Sequence, residues 1–460
     1  MPTDFVADRI DRARLESLLE RERGAFVDRH PRSAAAYAGA AHLFGKVPMT
    51  WMNKNAAGFP VYLDRARGAR LTDIDGNDYV DFCLGDTGAM AGHSPAPVVA
   101  AVTRRLADLG GAATMLPTED AAAVGAELSR RFGLPAWSFT LTATDANRWA
   151  IRLLRAVTGR PRILVNSYCY HGSVDESLIV VGPDGRARSR EGNVGAPCDV
   201  TLTSRVAEFN DLDGLARELA HGDVAAVLME PALTNIGIVL PEPGYLDGVR
   251  ALTRQHGTYL VNDETHTFSA GAGGATAAWG LTPDVVTIGK AIGGGIPVGA
   301  YGLSTELASA LTARADLDLV DMGGVGGTLA GNPVSIAATR ATLQEVLTEE
   351  AFAGMIEVAT VFADGVRKIF EEYALPWSVS QLGARVEYRF AAPAPRTGTE
   401  SARRADPGLE DYLHVYLINR GILMTPFHNM ALMCPQTTVE DVARHHEVFA
   451  EALHELLDRA

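Results

Sequence analysis

Residues 285–297 read Val-Val-Thr-Ile-Gly-Lys-Ala-Ile-Gly-Gly-Gly-Ile-Pro, a β-branched run that passes through a single lysine, Lys290, into glycine-rich chain. Four residues of this kind form a short buried strand, and the glycines allow turns and close backbone approach. The same pattern recurs upstream. Val224 to Met229 and Thr258 to Asn262 are further apolar strands, Arg162 to Asn166 is another, and Phe139 to Leu141 is a short one. Helical spacing separates them, over Asp145 to Val157 and within Pro241 to His256. Short apolar strands alternating with helices predict an α/β fold with a mainly parallel, doubly wound sheet. Such sheets bind ligands beyond the carboxyl ends of their strands, and Lys290 stands at one of those ends.

Both flanks of this region read differently. The segment up to about Arg32 is an amphipathic helix or arm. Pro60 to Tyr62, Arg70 to Asp73 and Asn77 to Phe82 alternate apolar and polar residues around Asp75-Gly76, which predicts a small antiparallel hairpin. Pro95 to Leu109 has helical spacing. After Gly331 come helices over Asn332 to Glu345 and Glu350 to Tyr373, a strand over Arg385 to Phe390, and a polar loop from Ala391 to Pro407. A helix near Leu409 to Asn419 and a last helix from Val439 follow. The expected division is therefore 1–94 as an arm and part of a small α+β domain, 95–345 as the large domain, and 346–460 as the rest of the small domain. A chain of 460 residues is too long for one ordinary core, in keeping with two units.

The formal net charge of -15 argues against nucleic acid or an anionic membrane as partner, because both select basic surfaces. No run is long and apolar enough for a membrane anchor or a secretory signal. Cys83, Cys169, Cys198 and Cys434 show neither paired nor metal-like spacing, which points to a reduced, cytoplasmic setting without a metal site.

Three segments carry chemistry. Desolvation weakens an amine's preference for its charged form, so a lysine at a strand end inside glycine-rich chain suits nucleophilic Schiff-base chemistry. Read alone, Lys290 is equally a snorkelling surface lysine. Asp263-Glu264 closes another apolar strand. A carboxylate there suits a buried pyridinium nitrogen, and it also suits a turn cap. Thr142-Ala143-Thr144-Asp145 joins a strand to a helix, where exposed amides and hydroxyls either hold a phosphate or cap the helix.

Taken together, residues 260–302 resemble the class III (fold-type I) aminotransferases. In these proteins an Asp-Glu pair precedes a lysine by about 27 residues, and Gly-Gly-Gly-x-Pro-x-Gly-Ala follows. Other anchors agree in order: Asp75-Gly76-Asn77 with Tyr79-Val80-Asp81, Gly92-His93, Tyr170-His171-Gly172, Glu230-Pro231 with Asn235 and Gly237, Thr282-Pro283-Asp284, and Gly327 to Pro333. The resemblance spans roughly residues 40–455 and is strongest to the glutamate-1-semialdehyde aminomutase and β-amino-acid aminotransferase branch. It implies a fold-type I pyridoxal 5′-phosphate (PLP) transferase, its small domain built from both chain ends. It also implies site roles. Lys290 carries the cofactor as a Schiff base and moves protons, and Asp263 holds the pyridinium. Tyr170 and Thr265 flank the ring, Asn235 bonds its oxygen, and Thr142, Ala143 and Thr144 hold the phosphate. Thr328 completes that phosphate site from a second subunit, which makes a homodimer. Glu230 stands behind these groups.

The chain departs from the family pattern near the expected substrate. The phosphate cup is usually Ser-Gly-Thr, and valine usually stands at Thr265. His266 is new, the family's following Gly and Arg are gone, and Asp86 replaces an aromatic residue at the entrance. Asp86, His266 and Trp51 are therefore the candidate substrate contacts, with an aspartate suited to attract an ammonium. Lys54 and Arg385 are candidate partners of a substrate carboxylate. The expected activity is amino-group transfer between an amino acid or amine and a keto acid or aldehyde. An aminomutase or racemase of the same family is the alternative, and a non-catalytic relative the third reading.

Overall fold

The computed structural model describes residues 10–195, 198–314 and 325–457. These fall into two compact units. One comprises residues 95–353 and 395–403; the other comprises 1–94, 354–394 and 404–460.

The larger unit is built on a seven-stranded sheet. Its strands are β1 (Ala136–Thr140), β2 (Arg162–Asn166), β3 (Ser204–Ala207), β4 (Val224–Met229), β5 (Tyr259–Asp263), β6 (Val285–Ile288) and β7 (Gly299–Leu303), in spatial order β1-β7-β6-β5-β4-β2-β3. All neighbours pair in parallel except at β7, which runs against both β6 and β1. Every residue of β4 and β6 is buried, as expected of strands covered on both faces. The sheet is thus mainly parallel, and the sequence pattern discloses neither its edge strand β3 nor the antiparallel β7.

Helix α1 (Ala143–Thr158) follows β1 directly. Thr142 caps it by accepting from the Asp145 amide, and Gly159 ends it in a left-handed turn. Its buried face carries Ala146, Ala150, Ile151 and Leu154, with Asn147 among them.

In the smaller unit, Leu63–Arg67, Arg70–Asp73 and Asp78–Asp81 form an antiparallel meander, and Ile422–Leu423 adds a parallel strand to its edge. The first strand lies at 63–67 rather than at 60–62. Arg67 pairs with Arg70, so the two-residue Gly68-Ala69 connection sets its register. A second sheet joins Ser378–Leu382, Arg385–Arg389 and Met430–Leu432. The expected loop over 391–407 contains a short helix, Gly398–Arg403, which belongs to the larger unit. That helix is polar in composition but anchored, with Ser401 bonded to the Ile236 carbonyl and Arg396 just before it paired with Glu242.

Candidate active site

The strand ends of the larger unit gather its reactive groups. Lys290 follows β6 by two residues, with left-handed backbone (φ 50°), uncommon for a residue bearing a side chain. The preceding glycine explains how β6 approaches α1: a Cβ on Gly289 would lie 2.9 Å from the Ala143 nitrogen. Gly172 clears the same helix end from the other side, since a Cβ there would collide with Thr144 Oγ1 at 1.9 Å. Thr142 occupies the Asp145 amide, and Thr144 Oγ1 accepts from the Ser173 amide. The amides of the first turn point out of the helix with its positive dipole end, and the two glycines let neighbouring backbone pack closely against that end.

Asp263 ends β5 and is buried. Its carboxylate receives three N–H groups: Asn147 Nδ2 at 2.8 Å and His171 Nδ1 at 2.9 Å on one oxygen, and the Thr265 amide at 3.1 Å on the other. Burial alone would raise its proton affinity. The bonded, charged His171 outweighs that and holds the carboxyl below its ordinary range. Burial likewise opposes a charged His171, but Cys169 and Asp263 outweigh it and hold the imidazole well above its ordinary range. Asn147 is itself fixed by Thr287 of β6, whose hydroxyl donates to its carbonyl at 2.6 Å. The neighbouring Glu264 points elsewhere. It accepts from Thr267, Ala275 and Thr276 and caps the helix Gly274–Ala278. The adjacent carboxylates therefore divide, one for the site and one for the fold.

His266 touches Lys290 directly. Its Nε2 lies 2.6 Å from Lys290 Nζ, and its Nδ1 lies 2.6 Å from Thr234 Oγ1. Thr234 donates onward to Glu230 Oε2 through a short bond, and Glu230 Oε1 accepts the Tyr170 amide at 3.1 Å. His266, Thr234 and Glu230 are all buried. Asn235, half-buried, lays its side-chain amide against the Arg190 guanidinium. Thr265 is buried beside Asp263, and Thr328 is exposed.

The structure thus brings Thr142, Ala143, Thr144, Tyr170, Asn235, Asp263, Thr265, His266, Lys290 and Thr328 into one unit. Asp86 and Trp51 belong to the other unit. Asp86 sits in a run of four consecutive left-handed residues, Leu84 to Thr87, with φ of 44°, 57°, 49° and 81°. Asp81 braces that run by accepting the Cys83 and Leu84 amides. Lys54 lies 5.5 Å from the centroids of both Trp51 and Phe427, a cation–π contact. Arg385 is fully buried and donates to Thr87. Asn147 and Thr234 escape the sequence reading. For Asn147 the available signal is a lone amide on the apolar face of α1.

An ionised carboxylate has about four lone-pair positions, so Asp263 retains room for one more donor, such as a protonated ring nitrogen. A glycine-cleared helix N-terminus suits a phosphate, and the lysine supplies an amine. This donor set fits PLP.

Fold and site together define a fold-type I PLP-dependent enzyme. The profile of the class-III aminotransferases matches residues 51–457, and the chain belongs to that family. It is 34% identical over 416 residues to a glutamate-1-semialdehyde 2,1-aminomutase of Chloroflexus aggregans, covering 87% of this chain and 92% of that one. Among solved structures it is similar to a glutamate-1-semialdehyde aminomutase of Pseudomonas aeruginosa PAO1, at 47% identity and a TM-score of 0.94 over 97% of this chain and 100% of that one. A lysine-to-alanine variant of a glutamate-1-semialdehyde aminomutase from the same organism is known in complex with PMP. An ω-transaminase from Sphaerobacter thermophilus is 31% identical with a TM-score of 0.84, over 94% and 99% of the two chains.

Proposed function

We propose that the chain moves an amino group between an amino acid or amine and a keto acid or aldehyde, with Lys290 as the point of covalent cofactor attachment. The observation that carries this reading is Asp263, a buried carboxylate held ionised by His171 and Asn147 on the strand next to that of Lys290. PLP, when bound, supplies an electron-withdrawing ring that accepts the electron pair released at the substrate carbon. The chain's own residues do the rest. Asp263 would keep the ring nitrogen protonated, and Thr142, Ala143 and Thr144 would hold the phosphate. Tyr170, Thr265 and Asn235 would hold the ring, and Lys290 would move protons.

Similarity to aminomutases along nearly the whole chain favours a second reading, transfer within one substrate. A half-reaction separates the two. A transaminase releases a keto product and keeps the amino group on its cofactor, whereas a mutase returns the group to the same carbon skeleton. A panel of α-, β- and ω-amino acids and simple amines, scored by conversion of the bound cofactor, decides between them. Lys290→Ala is expected to abolish the absorbance of the attached cofactor. Retention of that absorbance would overturn the attachment.

From the sequence we also assign Asp86 and Trp51 to the substrate side. Asp86→Asn keeps a side chain that tolerates left-handed backbone and is expected to raise KM for the preferred donor without changing cofactor absorbance. A homodimer, with Thr328 completing a neighbouring phosphate site, is supported by exposed Val99, Leu106, Leu109, Met115 and Leu116 along one stretch. A reducing, cytoplasmic setting is part of the same reading, supported by the sequence spacing of the four cysteines. Among the described residues no helix is long and apolar enough to cross a membrane.

A further inference from the structure

Lys290 must shed a proton before its amine can act as a nucleophile or a base. We propose that His266 is the proton outlet of Lys290, passing the proton through Thr234 to the buried carboxylate of Glu230. The inference rests on Lys290 being the attachment point.

The geometry defines a wire of three hydrogen bonds: Lys290 Nζ to His266 Nε2 at 2.6 Å, His266 Nδ1 to Thr234 Oγ1 at 2.6 Å, and the short bond from Thr234 to Glu230 Oε2. Direct passage from the ring to the carboxylate is closed. His266 Nδ1 lies 4.0 Å from Glu230 Oε2, beyond hydrogen-bond reach, so the Thr234 hydroxyl is obligatory. The far end is fixed as well, since Glu230 Oε1 holds the Tyr170 amide.

The wire has two self-consistent settings with the same number of protons. In the first, Lys290 is an ammonium donating to Nε2, Nδ1–H donates to Thr234, and Thr234 donates to ionised Glu230. In the second, each proton has moved one bond along. Lys290 is a neutral amine accepting from Nε2–H, Thr234 donates to Nδ1, and the Glu230 carboxyl donates to Thr234. The net change is ammonium plus carboxylate to amine plus carboxylic acid. The net charge of the four groups is unchanged, and beyond half-buried Lys290 the path runs through buried His266, Thr234 and Glu230. Burial raises the proton affinity of Glu230, with His171 opposing, which suits it to hold the proton. His266 thereby becomes a positioning and relay residue whose ring nitrogens face protein groups, rather than one that waits for substrate.

The test uses the full chain stripped of cofactor. PLP is added at pH 7, the absorbance of attached cofactor is followed, and borohydride reduction with peptide mapping locates the label. His266→Gln and Thr234→Val are expected to slow attachment about tenfold or more, with the same final amount bound. Thr234→Ser, which restores only a hydroxyl, is expected to recover most of the parent rate, which a loss of packing would not allow. In turnover, kcat falls in the two slow variants while KM for the donor stays within about twofold, since substrate contacts are untouched. Attachment by Thr234→Val at the parent rate would overturn the relay. So would a His266→Gln variant with raised KM and normal attachment, because it would make His266 a substrate contact. A parent chain labelled anywhere but Lys290 would instead remove the attachment reading, and the relay with it.

Discussion

Asp263 shows how much one side chain depends on its neighbours. Its type and place at a strand end are legible in the sequence. Its ionised state is not, because that depends on His171 and Asn147, which reach it from elsewhere in the chain. Asp263→Asn removes the charge and keeps the shape. It is expected to cut kcat by about a hundredfold or more, the scale of removing one preorganised charge from an active site, while cofactor still attaches at Lys290. Absorbance and steady-state rates measured on one preparation check both halves. Near-normal turnover would show that the carboxylate is a turn cap. His266 makes the opposite point. The sequence marks it as unusual, but its contact with Lys290 depends on a turn whose path no local pattern specifies.

At the level of elements, the β4–β5–β6 core was readable because strands buried on both faces are written as continuous apolar runs. β7 was not, since Gly-Ala-Tyr-Gly-Leu looks like the tail of a glycine loop. Its two glycines are packing requirements: a Cβ on Gly302 would strike the Trp137 ring, and one on Gly299 would strike Thr140 and Thr142. The apolar spacing of Asp145 to Val157 discloses α1, though its cap is Thr142, and its Asn147 joins three elements by bonding Asp263 of β5 and Thr287 of β6. Asn147→Leu fits the apolar face yet leaves those partners short of a bond. It is expected to cost about 1–3 kcal/mol and to weaken cofactor binding, as measured by thermal midpoint and cofactor titration. An unchanged midpoint would show that the amide is dispensable to the junction.

Across the whole molecule, the smaller unit holds two opposed titrations on one helix, Pro407–Ile418. Burial pushes Glu410 up to about 7, partly countered by Arg389, and burial pushes His414 down to about 4. Folded Glu410 binds a proton that the unfolded chain has lost above its ordinary value of 4.5, so its contribution to stability falls as pH rises from there to about 7. For His414 the unfolded chain holds the extra proton from about pH 4 to 6.5, so stability rises across that window. The two slopes oppose each other in the parent. Glu410→Gln removes one, so the variant's stability relative to the parent is expected to climb between about pH 4.5 and 7. Scanning calorimetry across that range checks this, and a flat difference would place Glu410 in water.

The meander of the smaller unit has a further consequence, in the order of synthesis. Asp78–Asp81 is covered on its outer edge by Ile422–Leu423, about 340 residues further along the chain. At about 5–20 residues per second, a ribosome needs roughly 20–70 seconds to deliver that edge strand. Meanwhile most of the larger unit, residues 95–353, emerges as one stretch, with only 395–403 still to follow. The nascent amino-terminal strands wait with an open hydrogen-bonding edge, the part of this chain most in need of a chaperone.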